Sequence, residues 1–87
     1  MKPHLTPHQK EVVRLINLGC TNEEATAILG LSPATVDNHK TWAMRNLGTD
    51  KAVLVTRIAL KHRFTSMKDQ LTKAEKRKSG RKNDGWN

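Results

Sequence analysis

The chain has 87 residues, 36% of them hydrophobic and 3% aromatic, with 16 Lys/Arg against 8 Asp/Glu for a formal net charge of +8. That length holds one domain at most, and so few aromatic residues argue against a strand-rich sandwich. The single cysteine, Cys20, excludes an internal disulfide, and no apolar run approaches the roughly 18 residues of a membrane span.

Four helical segments follow in chain order. The first opens at Thr6-Pro7-His8-Gln9, where Thr6 caps, Pro7 suits the first helical position and Gln9 completes a capping box. Val12, Val13, Leu15 and Ile16 give it an apolar stripe, and Gly19 ends it. The second opens at Thr21-Asn22-Glu23-Glu24, another capping box with two acids at the helix's positive end. Ala25, Ile28 and Leu29 are its apolar side, Gly30 closes it, and at about two turns it needs packing to persist. The third opens at Ser32-Pro33 and runs to Leu47, with Gly48 after it. The fourth runs from about Asp50 to His62 through Val53, Leu54, Val55, Ile58, Ala59 and Leu60, with Phe64 folding back beneath it. From Ser66 the pattern weakens. Met67, Leu71 and Ala74 suggest at most a fraying helix, and the run from Lys76 to Lys82 reads as disordered. The expected organisation is an all-α four-helix domain over residues 1–65 with a basic, disordered tail over 66–87.

Charge is shared between these parts. Residues 1–65 hold nine Lys/Arg and five Asp/Glu, and residues 66–87 hold seven and three, so each part is +4. Such an excess points to a polyanion, with DNA, RNA and an anionic membrane face all open on charge alone. The tail has no apolar face, which argues against the membrane. It reads either as a solvated end or as an arm that adds sequence-independent attraction to phosphates.

The second and third segments are joined by Gly30-Leu31-Ser32 alone. A three-residue turn containing Gly between a short helix and a longer one is the signature of a helix-turn-helix, whose second helix enters the major groove. At 100° per residue, Val36, Ala43 and Leu47 share one side of the third segment, flanked by His39 and Met44. The opposite side carries Ala34, Asp37, Asn38, Thr41 and Arg45. Base edges are read by hydrogen bonds and methyl contacts, which this face can supply. Spacing alone accounts equally well for a solvated helix face.

Leu5-Thr6-Pro7, Glu11-Val12, Gly19, Thr21-Asn22-Glu23-Glu24, Leu29-Gly30-Leu31-Ser32, Thr35-Val36, Asn38-His39 and Leu47-Gly48 together resemble the LuxR-type (GerE-like) DNA-binding domain. The resemblance covers residues 5–64 without a gap. It implies a sequence-specific, double-stranded-DNA-binding transcription regulator that inserts helix 33–47 into the major groove. By position, it implies base recognition by Thr35, Asp37, Asn38 and Thr41. It also implies phosphate contacts by Thr21, Asn22, Ser32, Lys40, Arg45 and Lys51. A homodimer through helix 50–62 would use Leu54, Val55 and Ile58, and RNA polymerase or a regulatory protein is a further partner. Three residues depart from the pattern. Asp37 stands where the family usually has a cation, Lys40 where it has an apolar core residue, and Trp42 where it has a polar one. These departures keep open a protein-interaction module with weakened DNA binding. A promoter-reading region similar to that of a sigma factor is the other alternative.

The remaining chemistry-bearing residues read blandly. His4, His8, His39 and His62 lack the convergent spacing of a metal site. His39 is expected to pack beside the core and hydrogen-bond a neighbouring segment, and Cys20 to be a buried filler. No nucleophile-base set or phosphate-cradling glycine loop is present, so no catalytic residue, metal, cofactor or enzymatic activity is expected. With no apolar signal core at its start, the chain is expected in the cytoplasm, associated with the nucleoid.

Overall fold

The computed structural model describes residues 4–81. It contains five helices: α1 (Pro7–Asn17), α2 (Asn22–Leu29), α3 (Pro33–Leu47), α4 (Ala52–Lys61) and α5 (Lys73–Ser79). No strand occurs among the described residues.

The punctuation seen in the sequence is what starts the first three helices. Thr6 Oγ1 accepts from the Gln9 amide at 3.2 Å while Gln9 Oε1 accepts from the Thr6 amide at 3.1 Å. The same reciprocal pair joins Thr21 and Glu24, and Ser32 Oγ caps α3 through the Thr35 amide. Each cap satisfies helix-start donors that would otherwise lack partners. Gly30 ends α2 in the left-handed region, with φ 68°, and so reverses the chain within the short turn to α3.

Helix α1 lies between two clusters of buried side chains. Leu5 and Val13 join Ala43 and Leu47 of α3 and Val55 and Ala59 of α4, with Met44, Ile58 and Phe64 packed against them. On the other side, Leu15 and Leu18 join Ala25 and Ile28 of α2, Val36 of α3, and Leu71. Val36, Ala43 and Leu47 are thus the inner side of α3, as its periodicity predicts. Cys20 packs at the edge of the second cluster, and burial pushes its thiol pKa up, so it behaves as apolar filling.

The four-helix domain agrees with the sequence reading, but the expected disorder after Ser66 is corrected for residues 66–81. Leu71 is 4% exposed. Thr72 and Glu75 form a third capping box, which opens α5. Two arginines then fasten the segment to the domain. Arg14 on α1 donates to Asp69 Oδ2 at 2.8 Å, to Glu75 Oε2 at 2.7 Å and to the Gln70 carbonyl at 2.8 Å. Arg81 donates to Glu24 Oε2 at 2.6 Å and to the carbonyls of Leu18 and Gly19 at 3.2 and 2.7 Å. Bidentate and charge-assisted bonds of this kind are the strong ones. Residues 82–87, with the end of the basic run and Trp86, lie outside the described residues.

Candidate nucleic-acid interface

The pair α2 and α3, joined through Gly30-Leu31-Ser32, forms the helix-turn-helix. Burying Val36, Ala43 and Leu47 turns the opposite side of α3 outward by geometry alone. Ala34, Asp37, Asn38, Thr41 and Arg45 are all exposed, and no other segment among the described residues covers them. The helix therefore presents a carboxylate, an amide, a hydroxyl and a guanidinium along one open flank.

The N-terminus of α3 is more constrained. Ser32 Oγ and Thr35 Oγ1 share a hydrogen bond of 2.8 Å, so the two hydroxyls are committed to each other as well as to the cap. Thr35 is half-buried, whereas Asp37, Asn38 and Thr41 stand free of the body. Thr21 is similarly engaged in its capping box, and Asn22 is exposed beside it at the start of α2.

At the other end of α3, the Trp42 ring is 53% exposed and the Arg45 guanidinium lies over it, 5.2 Å from the ring centroid. This cation–π contact gives the unexpected tryptophan a partner and restrains the arginine on the outward side. Arg45 and Lys51 border one shallow recess at the α3–α4 turn, together with Asp50 and Leu54. Lys40 is half-buried, so part of its stem is covered. His39 packs its ring 5.0 Å from that of His8. Asn46 donates to Gln9 Oε1 at 3.1 Å and ties α3 to the cap of α1.

On α4 the three residues expected to meet a second copy separate. Val55 is 0% exposed in the core, so it has no surface to offer a partner, and its assignment is corrected. Ile58 is half-buried against the same core. Leu54, 41% exposed, faces outward, and so does Val53 at 75%, which sequence reasoning passed over. The ion pairs of Arg14 and Arg81 were also missed. Their signal was present: Thr72-Lys73-Ala74-Glu75 repeats the cap pattern of Thr21 to Glu24, and Gly80 follows where a helix would stop.

No group of side chains suited to holding a metal ion occurs among the described residues. No helix among them is long and apolar enough to cross a membrane.

Comparison with known proteins gives a consistent picture. The family described as bacterial regulatory proteins, luxR family, matches residues 3–59. The transcriptional regulatory protein MctR of Rhizobium johnstonii is 32% identical over 62 residues, which are 71% of this chain and 29% of MctR. The chain thus spans less than a third of the length of that relative. No solved structure matches the chain significantly.

Proposed function

Since the chain belongs to the luxR family of bacterial regulatory proteins, and carries that family's helix-turn-helix DNA-binding domain, we propose that it regulates transcription by reading a specific duplex sequence with α3 in the major groove. The observation that carries this reading is the open flank of α3, whose hydrogen-bonding side chains project from a helix otherwise rooted in the core. Asn38 is suited to the bidentate edge of adenine, and Asp37 to the amino group of cytosine. Thr41 and the more constrained Thr35 complete the base-reading set. Arg45 and Lys51, beside the α3–α4 turn, approach the sugar-phosphate backbone. Thr21, Asn22 and Ser32 do so at the two helix starts, where amides and partial positive charge favour phosphate, and Lys40 does so from the middle of α3.

A second copy docks on the outward side of α4 through Leu54 and Val53, with Ile58 at the margin. Two-fold pairing matches a palindromic site of two half-sites. The output passes to RNA polymerase directly or through a regulatory protein. Family membership points to a regulator rather than an enzyme.

The deciding experiment is selection of bound duplexes from a random pool, followed by anisotropy titration of the enriched and scrambled sequences at two salt concentrations. Enrichment of one motif and a steep loss of affinity with salt are expected. Recovery of unenriched sequence would refute sequence reading, and absence of binding at low salt would refute DNA binding altogether.

A further inference from the structure

The residues beyond the family match hold a feature that the helix-turn-helix does not use. Lys73, Lys76 and Arg77 stand at i, i+3 and i+4 on α5 and so share one face. With Arg81 they line a single open cleft that has no acidic residue in its wall among the described residues. Arg81 is compensated by Glu24, so Lys73 and Arg77 carry the positive charge that the cleft presents. Lys73 and Arg77 are exposed.

Position gives this cleft its meaning. The Arg81 clamp on Glu24 and on the carbonyls of Leu18 and Gly19 pins the end of α5 against the start of α2. Leu71 and the Arg14 fork hold its other end. The cations are therefore fixed on the body, next to the helix start placed above at the phosphates. A tethered disordered arm would lose conformational entropy on binding, and these residues have already been ordered by folding.

We propose that the α5 cleft is a second phosphate-binding surface, which extends the footprint on duplex DNA beyond the helix-turn-helix along the backbone flanking the α2 end. The proposal rests on the DNA-binding reading and assigns no base readout to α5, because an all-cation surface recognises phosphate and not sequence.

The test compares the full chain with Lys73→Gln/Arg77→Gln and with Lys68→Gln/Lys78→Gln. The second pair comes from the same segment and removes the same charge, but neither residue lines the cleft. Lys78 borders a separate recess with Glu11, Arg14 and Glu75. Circular dichroism confirms that each variant is folded. Affinity for a random-sequence duplex of about 30 base pairs, roughly three helical turns, is then followed against salt. The cleft variant is expected to lower the slope of log affinity against log salt by about 2, since each lost phosphate contact removes close to one counterion. The control is expected to lower it by less than half as much. Equal slopes in both variants, or no change in the cleft variant, would overturn the proposal while leaving DNA binding standing. If the unchanged chain binds no duplex, the DNA-binding reading itself fails and the cleft assignment goes with it.

Discussion

Gly30 and Asn38 illustrate how differently two exposed positions of one helix-turn-helix respond to the same substitution. Gly30 has φ 68°, and a Cβ built there meets nothing within 4 Å. Gly30→Ala therefore carries only the backbone penalty of the left-handed region, about 1 kcal/mol, without a clash. A urea midpoint lowered at unchanged slope is the expected result, and an unchanged midpoint would show that the turn tolerates another conformation. Asn38 lies mid-helix on the exposed flank of α3. Alanine is the better helix former there, so Asn38→Ala should leave stability unchanged or slightly raised. Its effect belongs to recognition. A lost bidentate base contact removes about 1–3 kcal/mol of discrimination between the preferred site and its single-base variants. Titrations of both duplexes check this, and an equal loss on every sequence would reassign Asn38 to the phosphate backbone.

At the scale of elements, the helices legible in the sequence are those whose causes are local. Thr6-Pro7, Thr21 and Ser32-Pro33 start α1, α2 and α3 because a cap needs only residues within one turn. The two sides of α3 were legible because its apolar residues are sparse and fall on a single stripe. Helix α4 was harder. Val53-Leu54-Val55 is continuously apolar, so its pattern names no inner face. The choice of Val55 with Ala59 over Val53 with Leu54 is made by the body it packs against. Helix α5 was missed for a related reason. Its seven residues carry four cations and bury none of them, and what holds it are partners 55 and 61 residues away in sequence. Leu71 supplies the apolar anchor of that attachment. Leu71→Ala is expected to cost about 2–3 kcal/mol, the ordinary penalty for truncating a buried leucine. Thermal unfolding followed by circular dichroism would register it, and an unchanged transition would mean that the segment contributes nothing to the second cluster.

For the whole molecule, the arrangement of charge creates a specific acid sensitivity. The domain and the segment after it are both cationic, and like charge opposes bringing them together. Attachment relies on three carboxylates, Asp69 and Glu75 at Arg14 and Glu24 at Arg81. The pKa of Glu24 is lowered from the ordinary 4.5, first by its hydrogen bond from the Thr21 amide and further by Arg81. Burial opposes ionisation of Glu75, but the hydrogen bonds from Arg14 and from the Thr72 amide outweigh it, and its pKa is also lowered. A carboxylate whose folded pKa lies below its unfolded value stabilises the fold above the unfolded value, and loses that contribution as pH falls through the folded one. The sensitive window therefore opens below about pH 4.5 and is absent near neutrality. Protonation there removes the attraction while all the lysines and arginines stay charged, so repulsion between α5 and the body rises as the clamps fail. Detachment of α5 is expected before loss of α1 and α3, whose caps at Thr6 and Ser32 use neutral groups. Amide NMR across an acid titration resolves the order. Signals of 73–79 should shift and lose exchange protection at higher pH than those of Val12, Val13 and Val36. Simultaneous loss of all of them would mean that apolar packing, and not the two arginine clamps, sets the order in which the fold comes apart.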